Sequence, residues 1–317
     1  MSGLLVLAFV SAMSQESSLD LRVEGTIARG IRWLDGEQSR DGSWPGNEER
    51  HPGGMTALAC FTLVKSGVAA DDRSLCAGLR SISPVHFVST YSASVELQLF
   101  AALREIRGAK GPGAAVEAAL NGATPRESFD LLVATSKDGL WSYPGDTIDM
   151  SNTQFALLGL RAGAQLGYDV PEKVLERSAA ALMKQQDDSG GFGYHPGEAE
   201  RGGMTAATLA GIAVITELAH GNPDIVSPFA KKKDRLRAAE TWMEARFDTA
   251  HQAFGPNGWT PSFQYEYLWA VERWCGLSGR KKLGAHDWYR EGAEYLLEEQ
   301  GIHGDWNDSI EDTCFAL

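Results

Sequence analysis

The sequence predicts an all-α fold in which six helical hairpins close into an α/α barrel, or toroid. Three observations predict it. A pattern of outer helix, Gly/aromatic turn and inner helix recurs about every fifty residues, and the pentapeptide GGMTA opens an inner helix twice, at 53–57 and 202–206. The inner helices are also rich in Ala, Gly and Thr, and several lack a polar face. Hairpins of this kind bury their faces only against neighbours, and small residues favour a tight ring over an open solenoid.

The first hairpin centres on Gly30–Trp44, with the sequence GIRWLDGEQSRDGSW. Ile31 and Leu34 are three residues apart and therefore share one face of an outer helix. Gly42 supplies the positive φ that ends a helix at little cost. The apolar run Met55–Val64 then predicts the inner helix.

Further copies of the turn predict the remaining hairpins. Gly139 and Gly191 are 52 positions apart, whereas Gly42 and Gly139 are 97 apart, close to two periods. The double interval predicts a hairpin without the turn, and Ser89–Ile106 has the pattern of its inner helix. The aromatic residues of the later turns are Trp141, Phe192, Trp259 and Trp306. Six hairpins result, of which the last is expected to be truncated.

Composition limits the class of partner. The 317 residues are 43% hydrophobic, enough for one large core or two modest ones, and the formal net charge is −13. The only basic cluster, Lys231–Lys233, is followed at once by Asp234. Nucleic acid is therefore not an expected partner. Four cysteines without CxxC spacing predict buried free thiols.

The N-terminal residues 1–14 have the pattern of a signal peptide. Leu4–Val10 is an apolar run too short to span a bilayer, and Ser11–Ser14 supplies small residues for cleavage. No Lys or Arg precedes the run, which is atypical of such signals. We interpret the chain as exported or periplasmic, with a mature domain over 20–317; membrane association is not evident from the sequence.

The turn motif resembles that of a known family. The residues Gly30-x-x-Trp33-Leu34-x-x-x-Gln38-x-x-x-Gly42-x-Trp44 match the repeat motif of squalene cyclases and related triterpene cyclases. The turn-to-helix pattern is also similar to the β-subunit of protein prenyltransferases, which share the α/α toroid. Within the turn, Gln38 is predicted to bond free backbone groups at a helix end and Trp44 to pack over the turn. The resemblance covers 20–317 and implies a cavity for an isoprenoid-like apolar ligand.

The acids that such a cyclase requires are incomplete here. In the family, an Asp-x-Asp-Asp-Thr run at an inner-helix start protonates an alkene or epoxide, and burial keeps the acid protonated. The third hairpin retains Asp149 but has Ser151 and Asn152 in place of the two following acids. The sixth hairpin offers Glu311, at the proton-donating position, and Asp312. Both are also ordinary at a helix N-terminus.

These three acids are the catalytic candidates, and cyclisation activity is unproven because the run is degraded. An enzyme of this kind would be a terpene cyclase-like isomerase. Inner-helix and turn aromatics are the candidates to line the cavity, where their faces stabilise a carbocation, although core packing is the alternative for each. They are Trp141, Tyr143, Tyr265, Tyr267 and Trp269.

No cofactor or metal site is predicted. Asp312-x-Cys314 has the spacing of two zinc ligands in prenyltransferases, but no later histidine completes the set. Two alternative functions remain open. A non-catalytic toroid would bind a lipid or protein partner, and a carbohydrate-active α/α-barrel enzyme would use paired carboxylates, here Asp146 and Asp149 beside Trp141 and Tyr143.

Overall fold

A computed structural model describes the backbone of residues 2–110, 114–145 and 147–317, and the side chains of 18–106, 114–145 and 147–317. The predicted signal peptide, 1–14, and Asp146 lie outside the described side chains. The elements in chain order are α1 (Ser2–Glu37), α2 (Gly54–Lys65), α3 (Arg73–Ile82), α4 (Thr90–Lys110), α5 (Ala114–Leu120), α6 (Arg126–Thr135), α7 (Met150–Leu166), α8 (Glu172–Gln185), α9 (Gly202–Leu218), α10 (Pro223–Lys231), α11 (Lys233–Glu244), β1 (Gln252–Phe254), β2 (Gly258–Thr260), α12 (Gln264–Ser278), α13 (Trp288–Glu299) and α14 (Ile310–Ala316).

Six of the helices form a closed inner ring. Each of α2, α4, α7, α9, α12 and α14 contacts the next in that order, and α14 contacts α2. The outer helices α1, α3, α6, α8, α11 and α13 surround the ring, and α13 contacts α1. The predicted α/α toroid is therefore confirmed.

The fifth hairpin departs from a simple turn. Its Gly/aromatic segment forms the antiparallel pair β1–β2, in which Gln252 pairs with Thr260 and Phe254 with Gly258. Within the described residues this pair is the only sheet. The helical pattern of the sequence contained no signal for it.

Small residues allow the inner helices to approach closely. A Cβ atom on Gly159 of α7 would come within 2.9 Å of the Cα atom of Ser94 on α4. On the other side of α7, α9 is buried at nearly every position from Gly202 to Ile215. A larger side chain at such a contact would force the helices apart, because packed interiors have no spare volume.

A glutamine at the end of three outer helices, α1, α8 and α13, ties neighbouring hairpins together. Gln38 donates from Nε2 to the carbonyl of Gly42, 2.9 Å away, and to that of Ser74 at the start of α3, also 2.9 Å away. The same two bonds recur at later turns. They run from Gln186 to Gly190 and Arg235, and from Gln300 to Gly304 and Thr26. The last set joins the sixth hairpin to α1 and closes the outer ring.

Turn aromatics hold outer helices against their inner helices in the first and third hairpins, whereas Trp259 of the fifth is 51% exposed. The Trp44 indole N–H donates to the Leu34 carbonyl at 2.7 Å, and the Trp44 backbone N–H donates to Thr56 Oγ1 at 3.0 Å. Trp141 repeats both bonds, with Leu132 and Thr153 as acceptors. These contacts are the structural role that the motif predicts.

Two further features concern location and thiol chemistry. Among the described helices, none combines the length and the apolar character that crossing a bilayer requires. All four cysteines are buried free thiols, as predicted.

The backbone at Gly42 gives a test of the turn. Gly42 has a φ of 91°, and a Cβ atom there would lie 2.5 Å from the Ala77 carbonyl oxygen of α3. We expect Gly42→Ala to lower the free energy of unfolding by about 2 kcal/mol or more in urea denaturation. The control is Gly36→Ala in α1, where a Cβ meets nothing within 4 Å. It should stabilise by about 0.5–1 kcal/mol. Equal effects of the two substitutions would contradict the tight turn.

Candidate functional site

The first turns of several inner helices converge at one end of the toroid. Hydrogen bonds between the first turns of α4, α7 and α12 show that these first turns are neighbours across the ring. Glu266 of α12 lies among them and is half-buried. Its Oε1 accepts hydrogen bonds from the Tyr91 hydroxyl of α4 and the Ser151 hydroxyl of α7, each at 3.0 Å. These two hydroxyl oxygens are 2.8 Å apart. We call Tyr91, Ser151 and Glu266 the carboxyl triad.

The described residues give the carboxyl triad no cationic partner. Among the described residues, no Lys or Arg forms an ion pair with Glu266. Burial raises the pKa of Glu266, the hydrogen bonds from Ser151 and Tyr91 oppose that rise, and the charge of Asp312 adds to it. Burial and the nearby Glu266 carboxyl likewise raise the pKa of the Tyr91 hydroxyl well above its usual value. The environment therefore favours the neutral, protonated triad.

Asp149 lies close to the triad but has a capping role. It is fully buried at the N-cap of α7. One carboxylate oxygen accepts the Asn152 backbone N–H at 2.7 Å, and the other accepts the Asn152 side-chain amide at 2.9 Å. Burial raises the pKa of Asp149 to about 6, although both Asn152 bonds lower it. Asp149 therefore fixes the start of α7 and with it the position of Ser151.

The two acids of the sixth hairpin differ from each other. Asp312 Oδ2 accepts from the Asn307 amide at 2.9 Å, and the Asp312 backbone N–H donates to Ser309 Oγ at 3.2 Å, so Asp312 braces the turn. Glu311 is exposed. Burial of its carboxyl by the surrounding protein, followed by the charges of Glu266 and Asp312, raises its pKa. The Glu311 carboxyl is therefore close enough to Glu266 for the two charges to interact.

Glu266 was missed in the sequence. The family's Asp-x-Asp-Asp-Thr run places its acids next to one another at an inner-helix start, and the fifth hairpin has no such acidic pair. The available signal was an acid three positions before Trp269 in a helix whose other early residues are Tyr265, Tyr267 and Leu268. A charged residue on the same helical face as a tryptophan, in an otherwise apolar inner helix, is costly to bury without a purpose.

Below the triad, aromatic rings fill the middle of the toroid. Tyr91 and Phe155 have ring centroids 4.0 Å apart, Phe155 and Trp269 5.0 Å apart, and Trp269 and Phe315 5.4 Å apart. The four rings come from α4, α7, α12 and α14. Phe155 is fully buried, whereas Tyr91 and Trp269 are half-buried. We call this set the aromatic column.

A rim of rings surrounds the triad on the solvent side. Tyr143 is parallel to Tyr91, with centroids 6.2 Å apart, and His51 lies 5.5 Å from Tyr143 and 5.9 Å from Tyr91. The Arg50 guanidinium lies 5.5 Å from the Tyr143 ring centroid. Burial lowers the pKa of His51, which favours the neutral imidazole.

Of the predicted cavity aromatics, Trp269 joins the column and Tyr143 joins the rim. Tyr265 and Tyr267 flank Glu266 along α12, and because successive helical residues point about 100° apart, they leave the central face. Tyr265 is buried, with Tyr295 of α13 nearby, and Tyr267 lies against Gly202 of α9. Trp141 is fully buried in the interhelical core.

Two cavities lie away from the triad. An apolar cavity of about 370 Å³ lies between α1, α12, α13 and α14, and Trp269, Phe315 and Leu317 form part of its wall. A second cavity of about 250 Å³, lined by charged residues including Arg161 and Arg273, lies at the C-terminal ends of α2, α4, α7 and α12.

The described side chains contain no group of three or more His, Cys, Asp or Glu arranged to hold a metal ion. Of the two residues with zinc-ligand spacing, Cys314 is fully surrounded by protein, and burial raises the pKa of its thiol to about 12.

The chain is similar to solved structures of a type II terpene cyclase, MstE from Scytonema. A variant of MstE with its substrate geranylgeranyl dihydroxybenzoate gives a TM-score of 0.55 at 13% identity, over 93% of this chain and 83% of that one. A second variant, with its product merosterolic acid A, gives 0.54 at 12% identity, over 92% and 83%. No family model matches the sequence. No curated protein matches it significantly. The fold is thus that of the terpenoid cyclase toroids.

The raised pKa of Asp149 predicts a pH dependence of stability. The native state holds the proton more tightly than the unfolded state, whose pKa is about 4. The resulting stabilisation is present below that value and is lost as the pH rises through about 6. Asp149→Asn keeps a capping side chain but does not titrate. The difference in free energy of unfolding, wild type minus variant, should fall by up to about 3 kcal/mol from pH 4 to pH 7. A difference independent of pH would contradict the shifted carboxyl.

Proposed function

We propose that the toroid binds an isoprenoid-like apolar molecule along the aromatic column, with one end of the molecule at the carboxyl triad. The observation that supports this most directly is the column itself. Four aromatic rings from four inner helices contact one another in series, next to the carboxyl triad. Such an arrangement suits a ligand that is apolar along its length and electron-rich at one end.

The rings also suit an unsaturated chain better than a saturated one. Aromatic faces carry negative charge, and their edges carry positive charge, so ring edges attract the π electrons of alkenes. Tyr91 and Trp269 are the half-buried rings nearest to Phe155, which contacts both of them. A ligand chain entering between them would replace ring–ring contacts with ring–alkene contacts of similar strength.

The similarity to MstE adds support of a different kind. The MstE variants were solved with a geranylgeranyl-bearing substrate and with a cyclised product. A shared fold does not carry a shared ligand with it, because function depends on the site. The proposal for this chain therefore rests on its own rings and carboxyl.

The competing carbohydrate interpretation lacks comparable support. Both carboxylate oxygens of Asp149 accept hydrogen bonds from Asn152 inside the protein. A sugar hydrolase needs two carboxyl groups presented to the substrate.

Binding can be tested directly with geranylgeraniol, using its saturated analogue phytanol as the competitor. We expect equilibrium dialysis to show retention of geranylgeraniol by the full chain. Trp269→Leu keeps an apolar side chain but removes a π face, and should weaken binding about tenfold, or about 1.4 kcal/mol. The control is Trp259→Leu, since Trp259 is 51% exposed on β2 and is not a member of the column. Equal retention by both variants, or no retention by the wild type, would refute the proposal.

A further inference from the structure

We propose that a third cavity, between the inner helix α4 and the outer helix α6, binds a small organic cation, a primary ammonium ion with a short apolar stem. The cavity measures about 320 Å³ and is lined by the segment that joins α3 to α4, by α4 and by the start of α6. Its lining shares no residue with the carboxyl triad or the aromatic column. The inference is therefore independent of the proposed function.

The cavity lies where the repeat is interrupted. The second hairpin has no Gly/aromatic turn, and residues 83–89 join α3 to α4 in its place. In the first hairpin the Trp44 ring packs against the following outer helix, since a Cβ atom on Gly78 of α3 would lie 2.8 Å from that ring. The outer helix that follows the second hairpin is α6, and the cavity lies against its Ser128. The hairpin that lacks a turn aromatic therefore has open space next to its following outer helix.

Glu96 of α4 lines this cavity, at a position where the other inner helices have small residues. Glu96 is seven positions after Ser89, whose carbonyl accepts the Ala93 backbone N–H at the start of α4. Seven positions after the N-caps of α2, α7, α9, α12 and α14 are Cys60, Ala156, Thr208, Ala270 and Ala316. The repeat itself thus requires no carboxyl at this position, and the second hairpin has one.

The Glu96 carboxyl is buried and only partly satisfied. Glu96 is 8% exposed, and its Oε2 accepts a hydrogen bond from the Ser128 hydroxyl of α6. Within the described part of the chain, no donor reaches Oε1, and no Lys or Arg forms an ion pair with this carboxyl. A buried carboxylate without a cation is costly to the folded state. A cation bound in the cavity would supply the missing partner.

The groups around Glu96 are neutral or acidic. From α6 it faces Ser128 and the charge of Glu127, and the Tyr168 phenol, after the end of α7, also interacts with it. Glu127 and His86 are exposed, and His86 Nδ1 lies 3.0 Å from Glu127 Oε2. The described residues that line the cavity include no Lys or Arg. The lining therefore attracts a cation and repels an anion.

The remaining lining residues select an organic cation. Val85 and Phe87 of the connecting segment and Ala123 before α6 give the cavity an apolar wall. An ammonium group has three N–H donors, one of which can reach Oε1, while an alkyl stem covers the apolar wall. The volume limits the ligand to a small molecule, since about 320 Å³ is at the lower end of the range for ligand pockets. A metal ion is disfavoured, because the described side chains form no group of three ligands here.

The ionisation of Glu96 gives this site a pH dependence. Burial raises the pKa of Glu96 to about 7, the Ser128 hydrogen bond opposes that rise, and the Glu127 charge adds to it. A primary alkylamine has a pKa of about 10, so it stays protonated across the neutral range. The cation needs the carboxylate form of Glu96. Its binding should therefore strengthen as the pH rises through about 7.

Isothermal titration calorimetry of the full chain tests the site, with butylammonium chloride as the cation and 1-butanol as a neutral probe of the same length. At pH 8 we expect one site per chain for butylammonium and no binding of butanol. The affinity for butylammonium should be about tenfold lower at pH 6. Glu96→Gln keeps an acceptor for Ser128 and should lower the affinity at pH 8 about tenfold or more. The control, Glu176→Gln on the exposed face of α8, should leave it unchanged.

Four results would overturn the proposal. They are no binding of butylammonium by the wild type, equal affinity in Glu96→Gln, equal binding of butanol, and displacement of butylammonium by an equal concentration of Na⁺ or Mg²⁺. The last of these would assign the cavity to an inorganic ion. Retention of geranylgeraniol should be the same in Glu96→Gln and the wild type, so failure here leaves the proposed function intact.

Ser128→Ala is a second variant that keeps the carboxyl. It removes the hydrogen bond that lowers the pKa of Glu96, so the pH of half-maximal butylammonium binding should move upwards. A midpoint that stays in place would show that Glu96 is not the group whose ionisation controls binding. This result decides the assignment even if Glu96→Gln fails to fold.

Discussion

The toroid depends on glutamine side chains that each donate hydrogen bonds to two backbone carbonyls at once. An outer helix ends with free carbonyl groups, and its neighbour has its own backbone groups to satisfy. Gln38, Gln186 and Gln300 each serve both, one carbonyl in their own turn and one in an adjacent outer helix. A neutral amide does this without a buried charge. Because these bonds are anchored on backbone atoms, they hold three pairs of outer helices together, α1 with α3, α8 with α11, and α13 with α1.

Once the ring is closed, its axis becomes a place where residues far apart in sequence must meet. Tyr91, Ser151 and Glu266 are separated by 60 and 115 positions, yet their oxygens lie within hydrogen-bond distance. Across the part of the chain that the structure describes, no Lys or Arg forms an ion pair with Glu266. The same closure places four aromatic rings beneath them. Rigid inner helices hold both sets, and rigid supports favour defined geometry at a site.

Most of the fold could be predicted from the turn motif, because the interactions that form the turn are local in sequence. Gly42 needs a positive φ and Trp44 needs the carbonyl of Leu34, ten residues earlier, and both requirements are visible in a short stretch of sequence. The candidate site was less accessible to such reasoning. Glu266 becomes a site residue only through its hydrogen bond with Ser151 on another hairpin. Tyr265 and Tyr267 point away from the ring axis, because successive helical residues point about 100° apart. A sequence read one hairpin at a time cannot supply the pairing between hairpins, nor the short strand pair β1–β2.

The contact between Gln300 and Thr26 has a consequence for how the chain reaches its native state. These residues are 274 positions apart. A contact of that range cannot form during synthesis until the sixth hairpin has left the ribosome, and the entropy of closing so long a loop is lost before the contact forms. Earlier hairpins can stack as an open arc in the meantime. Such an arc exposes one apolar face at each end, and those faces are able to pair with the arc of another molecule. Ring closure is thus also the step that ends the risk of misassembly between nascent chains.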